Sequence, residues 1–365
     1  MNMPLKTVIC GTGFGTFYAE AVFRDKKNFK LAGIVARGSE RSKKCAEHYG
    51  VPLYESASQV PSDIDIACVA IRTGALGGNG TEISLEFLKK GISVILEQPV
   101  HHKEIAECFK FARRNKCCFM TGDLYLNMPE IRRMLSVTDY LRNKGVKLEY
   151  IRAGSSVQAF YPFVDILNRL VRGGNVNLEY VSPQRGSFKE AIGDISGIPF
   201  SFEFNNDMNP HDPDNHMHIL HTFTLYYESG RLELSDTRGP LIWYPRLNMP
   251  WSILSEGGVP DEYPEHMKER FIGLLTPENN LTEPYSAFAG KIAIDSIGRD
   301  LLHMLEMIKD NKKFLINAQK EQNSAKLWND MTTKLGYAVM NEKLEPAAIK
   351  PDGIYEAGIL PEERI

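Results

Sequence analysis

Near its N-terminus the chain reads Val8-Ile9-Cys10-Gly11-Thr12-Gly13-Phe14-Gly15. An apolar run that begins at Leu5 ends in these glycines, and the amphipathic segment Phe17–Phe23 follows them. This order predicts a strand, a tight turn and a helix, an arrangement that presents backbone N–H groups and a helix N-terminus to a phosphate. We therefore expect Gly11–Gly15 to contact the pyrophosphate of a dinucleotide, although the third glycine falls at Gly15 and not at Thr16. The alternative is a glycine turn that binds no ligand.

Composition limits the class of protein. The chain has 365 residues, 43% of them hydrophobic and 24% charged, and a net charge of −3. This length predicts two domains, and the small charge predicts no attraction to nucleic acid or to a membrane surface. No segment approaches the ~20 apolar residues of a membrane span, and the first residues lack the apolar core of a signal peptide. The six cysteines include no C-x-x-C pair, so we expect a reduced, cytoplasmic protein without disulfides or a thiolate metal site.

The first 126 residues alternate between two hydrophobic periods. Strand-like runs are Thr7–Cys10, Leu31–Ala36, Ile64–Ile71, Val94–Leu96 and Cys117–Met120, and helix-like stretches are Phe14–Arg24, Arg41–Tyr49, Glu82–Lys90 and Lys103–Lys116. Buried strands that alternate with helices predict a parallel, doubly wound sheet, so residues 1–126 are predicted to form an α/β Rossmann domain.

Residues 127–365 have a different pattern. After the helical stretch Glu130–Asn143, strand-like runs follow one another: Lys147–Ala153, Val176–Val181, Phe200–Phe204, His218–Tyr227 and Arg231–Ser235. Successive strands predict an α+β domain with a mixed or antiparallel sheet, and Ser229-Gly230 predicts a hairpin turn. Further helices are predicted at Tyr161–Arg172, Asp300–Lys309 and Ala318–Leu335. The tail from Pro346 is predicted to be an extended surface segment.

The residues after the second strand bear on the choice of nucleotide. The strand ends at Ala36 and is followed by Arg37-Gly38-Ser39-Glu40-Arg41-Ser42. NAD-binding domains usually carry Asp or Glu at this strand end, where it binds the ribose 2′-hydroxyl. Here guanidinium and hydroxyl groups suit a 2′-phosphate, so we expect NADP(H) bound by this segment. The alternative is a solvated loop in which Ser39 caps the next helix.

Three more strand ends carry polar groups. They are the glycine-rich loop that begins Arg72-Thr73, the segment Glu97-Gln98-Pro99-Val100-His101-His102, and Gly122-Asp123-Leu124-Tyr125. Ligands of such sheets lie beyond the carboxyl ends of the strands, so we expect Arg72, Thr73, Glu97 and Gln98 to line the cofactor site. The alternative for the glycine-rich loop is a flexible surface loop.

Glu97-Gln98-Pro99 resembles the Glu-Lys-Pro segment of the Gfo/Idh/MocA oxidoreductases, which pair a Rossmann domain with a mixed-sheet domain that binds substrate and often dimerises. Sugar dehydrogenases of that family normally have Lys where Gln98 stands. They also carry Asp-x-Gly-x-His in a helix of the second domain, where this chain reads Asp165-Ile166-Leu167-Asn168-Arg169. The usual acid/base pair of a polyol dehydrogenase is therefore missing.

One branch of the family, the thiazolinyl imide (imine) reductases of siderophore assembly, fits a chain that lacks this lysine and this histidine. The segments that resemble it are Gly38–Ser42, Asp65–Cys68, Gly77–Thr81, Gly91–His101, Cys117-Cys118, Asp212–His216 and Gly239–Trp243. In that branch the tyrosine that matches Tyr125 is the proposed general acid, and a histidine that matches Gln98 is the other candidate. The resemblance thus implies Tyr125 and Gln98 as catalytic positions, with His101 as the nearest spare imidazole.

The resemblance implies NADPH-dependent reduction of a thiazoline C=N to a thiazolidine. The substrate would be tethered to a carrier domain of a nonribosomal peptide synthetase, and a homodimer is expected. Two alternatives remain: a sugar or polyol dehydrogenase of the same family, and a non-catalytic NADP-binding sensor.

Four histidines near residue 216 raise the question of a zinc site. His211, His216, His218 and His221 lie beside Asp212 and Asp214. If His216–Tyr227 is a strand, His216 and His218 share one face and His221 lies on the other, and no cysteine or H-E-x-x-H pattern is near. We therefore expect no metal, and a polar interface or a wall of the substrate pocket.

Overall fold

The structure of the protein is a computed structural model, and it describes residues 3–246, 268, 270–342 and 349–360. Its first half is a six-stranded sheet in the spatial order β3-β2-β1-β4-β5-β6. The strands are β1 (Leu5–Cys10), β2 (Phe29–Val35), β3 (Leu53–Tyr54), β4 (Ile66–Val69), β5 (Ser93–Leu96) and β6 (Phe119–Thr121), all parallel. The helices between them are α1 (Gly15–Arg24), α2 (Glu40–Tyr49), α3 (Gly80–Lys89) and α4 (His102–Arg114). The predicted Rossmann domain is confirmed.

A mixed sheet forms the second half. Its elements up to residue 245 are α5 (Pro129–Asn143), β7 (Leu148–Ser156), α6 (Phe160–Val171), β8 (Val176–Val181), β9 (Phe188–Ile195), β10 (Ile198–Asn205), β11 (Asp207–Met208), β12 (His221–Tyr227), β13 (Gly230–Leu234) and β14 (Leu241–Pro245). The sheet order is β15-β14-β13-β12-β7-β10-β9-β8, where β15 is Gly273–Leu274. Strand β10 runs parallel to β7, and the other described pairs are antiparallel. The prediction of a mixed or antiparallel sheet is confirmed, as is the hairpin between β12 and β13.

Helices close to the C-terminus complete the core of the first half. They are α8 (Ala293–Lys309) and α9 (Asn311–Leu335), which lie between the short α7 (Glu278–Leu281) and the terminal β16 (Val339–Met340) and α10 (Pro351–Gly358). Helix α8 packs on α1, and α9 packs on α4 and β6. Their buried residues Ile297, Leu301, Met304 and Phe314 belong to the same hydrophobic core as β1 and β4. The six-stranded sheet is therefore covered in part by residues far beyond position 126.

Several element boundaries differ from the predictions. The strand predicted to begin at His218 begins at His221, because the loop before it turns through a positive φ of 65° at His216. His216 and His218 therefore do not share a strand face, and that prediction is wrong. Strands β9 and β14 were not predicted at all.

The C-terminal helices also differ from the predictions. The two long ones begin seven residues earlier than predicted, and the side chain of Asp310 separates them by capping α9 through the Lys312 N–H at 2.9 Å. Of the tail predicted to be extended from Pro346, residues 346–348 lie outside the described residues. Residues Pro351–Gly358 form a helix, so the extended prediction is wrong there. Proline at the start and Asp352 in the first turn favour that helix.

Within the described parts of the chain, no helix combines the length and the apolar character that a membrane span requires.

Candidate active site

The glycine turn after β1 has the geometry that a pyrophosphate requires. Gly11 has a φ of +92°, and a Cβ at that position would lie 2.7 Å from the carbonyl oxygen of Ala70. The first turn of α1 has no side-chain cap, and its Thr16 and Phe17 N–H groups donate to the carbonyls of Gly13 and Phe14 at 3.2 and 3.0 Å. Bare backbone and an uncapped helix N-terminus fit a dinucleotide phosphate at Gly11–Gly15, as predicted from the sequence.

Arg41 lies beside this turn. Its Nη2 is 3.9 Å from the point where a Cβ on Gly13 would be. Arg37 and Arg41 are both exposed, and neither has an ion-pair partner in the part of the chain that the structure describes. The two guanidinium groups are therefore free to bind an anion next to the end of β2.

Ser39 and Ser42 are engaged within α2. Ser39 is its N-cap and accepts a hydrogen bond from the Ser42 N–H at 3.3 Å, while the buried Ser42 hydroxyl donates to the carbonyl of Ser39 at 2.7 Å. The capping alternative therefore describes what these two hydroxyls do in the structure. Ala36 donates its N–H to the carbonyl of Tyr54 at 2.9 Å and ends the strand where a ribose would lie.

The loop after β4 is hydrogen-bonded to the segment after β5. The hydroxyl of the buried Thr73 donates to the carbonyl of Pro99 at 2.6 Å, and the Gln98–Pro99 peptide bond is cis. Across the loop, Nη2 of Arg72 lies 4.0 Å from the Asp214 carboxylate, and both side chains are exposed. The loop thus joins the first half of the molecule to the loop that precedes β12, and both would border a bound cofactor.

Glu97 is a carboxyl group held away from water at the end of β5. Its Oε2 accepts a hydrogen bond from the Tyr18 hydroxyl at 2.8 Å. Burial raises the pKa of Glu97 to about 8, with a smaller contribution from the negative charge of Asp300. The side chain is therefore mainly protonated at neutral pH and is able to donate a proton.

Tyr125 follows β6 and lies against His221 at the start of β12. The two rings meet edge to face with their centroids 5.0 Å apart. Burial, with smaller contributions from the neighbouring charges of Glu97 and Asp214, raises the pKa of Tyr125 to about 12. The phenol therefore keeps its proton throughout the neutral range. We call Glu97, Gln98, Tyr125 and His221 the interdomain site.

His221 is fully buried and holds one tautomer. Its Nε2 lies 2.9 Å from the carbonyl oxygen of Ala159, and its Nδ1 lies 2.9 Å from the hydroxyl of Thr237. A carbonyl only accepts, so Nε2 carries the proton and Nδ1 accepts from Thr237. Burial lowers the pKa of His221 to about 4, so the ring is neutral at physiological pH. Sequence reasoning placed His221 at a pocket wall but missed its contact with Tyr125, which depends on long-range strand pairing.

His101 has a different role from the one that the resemblance implied. Its Nδ1 accepts the Lys103 N–H at 3.3 Å as part of the capping box that starts α4. Its Nε2 lies 3.2 Å from Asn329 Oδ1 on α9. Both ring nitrogens are engaged, so the structure shows His101 as a helix cap and not as a spare imidazole beside Tyr125.

Four buried carboxyl groups lie beneath the Tyr125 loop. The sequence marked Asp123 as a strand-end polar group and Asp165 only in a motif comparison, and it marked neither of the other two. The four groups are Asp123, Asp165, Asp300 and Glu321, which come from the β6 loop, α6, α8 and α9. The backbone N–H of Asp123 donates to Asp300 at 2.8 Å, and that of Thr121 donates to Glu321 at 3.0 Å. We call these four groups the carboxyl cluster.

The carboxyl cluster has one close cation. Arg169 lies 3.5 Å from Asp165, which also accepts the Ser324 hydroxyl. Arg169 is the second-largest influence on the pKa of Asp165 and holds it below its usual range, while burial raises the pKa of Asp123 far above its own. Asp165 is therefore charged and Asp123 protonated, and the two share a hydrogen bond.

The segment compared with the family's Asp-x-Gly-x-His motif joins the carboxyl cluster, where Asp165 shares a hydrogen bond with Asp123, two residues before Tyr125. Asp165 belongs to the carboxyl cluster, whereas the residue beside the interdomain site is Ala159, at the N-terminal end of α6. The helix that carries Asp165 and Arg169 therefore contributes its start to the site, and not the segment where the motif was sought.

The remaining histidines of the group form no cluster. His216 lies 3.1 Å from Asp212, and the ring of His218 packs on Phe188. In the described segments, no three histidine, cysteine or acidic side chains converge in a way that could hold a metal ion.

A small cavity lies next to the residues that follow the Tyr125 loop, and Tyr125 itself is not part of its lining. Its volume is about 220 Å³, and its lining includes Asn127, Met128, Thr237, Arg238 and Tyr285. The guanidinium of Arg238 lies over the Tyr285 ring, 5.1 Å from its centroid. Asn127 and Met128 place this cavity close to the Tyr125 loop.

Two family models match the chain. One, described as oxidoreductase family, NAD-binding Rossmann fold (Gfo/Idh/MocA), matches residues 5–123. The other, described as thiazolinyl imine reductase Irp3-like, C-terminal, matches residues 147–244 and so covers β7 to β13 and most of β14. The first half of the chain therefore matches the Gfo/Idh/MocA oxidoreductases, and part of the second half matches the thiazolinyl imine reductases. The resemblance seen in the sequence, including that to the thiazolinyl imine reductases, is confirmed.

Solved structures agree with this Gfo/Idh/MocA fold. KijD10, a 3-ketoreductase from Actinomadura kijaniata with NADP, is 14% identical, with 92% of this chain and 99% of that chain covered and a TM-score of 0.61. An oxidoreductase from Agrobacterium radiobacter with NAD+, L-tartaric acid and magnesium is 11% identical, with 92% and 98% covered and a TM-score of 0.64. A dehydrogenase from Chromobacterium violaceum is 14% identical, with 91% and 96% covered and a TM-score of 0.65. The search of curated proteins found no match to this chain.

Proposed function

We propose that this oxidoreductase uses NADPH to reduce a thiazoline C=N to a thiazolidine. The observation that carries the proposal is the protonated phenol of Tyr125, fixed against neutral His221 at the strand ends of a dinucleotide domain. A second half of the thiazolinyl imine reductase type supports the same substrate class. When bound, the reduced nicotinamide supplies a hydride; the chain itself must supply the proton.

Tyr125 is the residue that we assign to proton donation. Hydride addition builds negative charge on the imine nitrogen, and a donor within ~2.6–3.2 Å lowers the energy of that transition state. The raised pKa keeps the phenol protonated, which a donor requires, while the mainly protonated Glu97 nearby offers a second source of protons. Gln98 donates no proton in a cycle, and its amide is suited to orienting the substrate or a water molecule.

NADP is the nucleotide that we propose, because Arg37 and Arg41 have no ion-pair partner among the described residues and the sequence has no Asp or Glu at the last residue of β2. We also propose that the substrate is carried on a nonribosomal peptide synthetase for siderophore assembly. A homodimer is proposed through the open face of the large sheet, where Tyr150 and Tyr226 pair and Tyr180 is exposed. Six unpaired thiols fit a cytoplasmic location.

The test replaces Tyr125 with Phe and follows NADPH oxidation with a thiazoline thioester as substrate. We expect kcat to fall ~10²–10⁴-fold, the usual contribution of a positioned proton donor, and NADPH affinity to stay the same. Tyr140→Phe is the matched control, since Tyr140 is exposed on α5. Unchanged turnover in Tyr125→Phe would remove the assigned role.

The same assay separates the alternative functions. Turnover of sugars or polyols with NAD(P), and none of thiazolines, would replace the proposal with a polyol dehydrogenase. NADPH binding without turnover of either substrate class would indicate a sensor.

A further inference from the structure

A second cavity lies between α5, α6 and α9 and has no part in the proposed reaction. Its volume is about 670 Å³, within the ~300–1,000 Å³ typical of small-molecule sites. Its polar lining includes Asn168, Arg169, Arg172, Gln319, Lys320 and Asn323. We call it the α6–α9 cavity.

The α6–α9 cavity borders the interdomain site at Leu126, which follows Tyr125, but its lining includes neither Tyr125 nor His221. The contact between α6 and His221 is made by Ala159, just before the first turn of the helix. Arg169 lies ten residues further along, which corresponds to ~15 Å of helix. A ligand in this cavity would therefore not occupy the place of the substrate beside Tyr125.

The basic side chains at the cavity outnumber the carboxylates that pair with them. Arg169 faces Asp165 at 3.5 Å, and Arg172 faces Asp139 at 3.0 Å, where Asp139 is shared with Arg142. Lys320 has no ion-pair partner in the described chain, and the pKa of its ammonium is lowered by burial and by the charges of Arg169 and Arg172. A cation crowded by two others is stabilised when an anion enters.

Two buried atoms at the cavity have no hydrogen-bond partner among the residues that the structure describes. They are Nε of Arg169 and Oδ1 of Asn168, both on side chains that line the cavity. Arg172, the residue that ends α6, has a φ of +59°. This backbone conformation is strained for a residue with a side chain and is usually adopted by glycine. The chain keeps a guanidinium at this point at some conformational cost.

Apolar side chains form the remaining wall. Leu126, Leu135 and the half-exposed Ile316 line it. Free inorganic anions need no such wall, whereas the carbon skeleton of an organic phosphate would lie against it and bury apolar surface.

We infer that the α6–α9 cavity binds an organic phosphate ester, with its phosphate between Arg172 and Lys320 and its carbon part against Leu135 and Ile316. Guanidinium and ammonium groups make charge-assisted hydrogen bonds to phosphate oxygens. The amides of Gln319 and Asn323 supply further donors.

Calorimetric titration of the full chain with phenyl phosphate tests the inference. The protein is first saturated with NADP, so that the dinucleotide site is filled and does not bind the probe. We expect one saturable site for phenyl phosphate and weaker binding of inorganic phosphate, which lacks the apolar part. Lys320→Gln should weaken phenyl phosphate binding by about tenfold or more, in line with loss of a charge-assisted contact.

Lys326→Gln is the matched control, because Lys326 is exposed on the same helix and lies outside the cavity lining. Arg172→Gln provides a second variant in case Lys320→Gln does not fold. Absence of saturable binding, or equal weakening in Lys326→Gln, would overturn the inference. These results do not depend on turnover, so they stand apart from the test of the reductase proposal.

Discussion

Tyr125 and His221 show how single residues acquire their chemistry from distant parts of the chain. Tyr125 follows β6 in the nucleotide half, and His221 begins β12 in the other half. Their contact fixes the phenol, while Ala159 and Thr237 fix the imidazole. The sequence pointed to Tyr125 through its strand-end position and the family resemblance. It could not show His221 in this role, because the contact depends on how the two halves dock.

Replacement of His221 tests this positioning role. His221→Phe leaves the Thr237 hydroxyl and the Ala159 carbonyl without their partner, so we expect a loss of ~1–3 kcal/mol in the free energy of unfolding. Turnover should fall while NADPH affinity stays unchanged, because the ring positions Tyr125 and is remote from the glycine turn. Denaturant unfolding and NADPH titration measure the two effects, and unaltered stability with unaltered turnover would contradict them.

Arg41 tests the choice of nucleotide. Loss of one charge-assisted contact to a 2′-phosphate costs ~1.5–3 kcal/mol, so Arg41→Gln should weaken NADPH binding ~10–100-fold and leave NADH binding nearly unchanged. Fluorescence titration with both nucleotides provides the measurement. The exposed Arg114 on α4 supplies the control substitution, Arg114→Gln. Equal weakening for both nucleotides would place Arg41 away from the 2′ position.

At the scale of elements, strong local patterns were predictive and weak ones were not. The glycine turn between β1 and α1 and the hairpin at Gly230 carry their own local signals, and both occur where predicted. Strand β9 carries Glu190 and Asp194 on one face and Lys189 on the other, so its hydrophobic pattern is weak. The loop before β12 was misread because apolar residues near His218 resemble a strand, although backbone geometry at His216 prevents one.

The β1–α1 turn supports a prediction with an internal control. Gly11→Ala forces a methyl group to within 2.7 Å of the Ala70 carbonyl at a φ of +92°. Gly50→Ala has the same kind of φ, +64°, but no atom lies within 4 Å of the new methyl group. We expect Gly50→Ala to cost only the ~1–2 kcal/mol of the backbone conformation, and Gly11→Ala to cost more and also to weaken NADPH binding. Thermal unfolding and NADPH titration of both variants check this. Equal losses of stability and of NADPH affinity in the two variants would show that the backbone at Gly11 shifts to avoid the clash.

At the scale of the whole molecule, the carboxyl cluster ties the two halves together. Asp123 belongs to the β6 loop, while Asp300 and Glu321 belong to helices close to the end of the chain. Burial raises the pKa of Asp300 to about 7 and that of Glu321 to about 8. No sequence pattern marks Asp300 or Glu321, because each is a lone acid in an ordinary amphipathic segment and only the tertiary fold assembles them.

These pKa values predict how stability changes with pH. Asp300 and Glu321 bind protons more tightly in the folded protein than in the unfolded chain, where their pKa is near ~4. Their protonation therefore stabilises the folded state fully below pH ~4. This stabilisation is lost as the pH rises through about 7 to 8. We expect the free energy of unfolding to fall between pH 5 and 8, by at most ~1.4 kcal/mol per pH unit for each such group. Glu321→Gln should flatten the slope in urea titrations across this range. A slope that is unchanged in Glu321→Gln would show that other groups cause it.

The packing of α8 on α1 and of α9 on β6 also affects how the protein is made. A ribosome that has released only the nucleotide-binding half leaves the surfaces that meet Leu301, Met304 and Phe314 uncovered. The hydrophobic core of the half that is translated first is therefore completed only when α8 and α9 have been translated. Until then the nascent chain exposes apolar surface. Such a chain is a natural client for chaperones, and a premature stop before α8 would remove cofactor binding even though every residue of the glycine turn is intact.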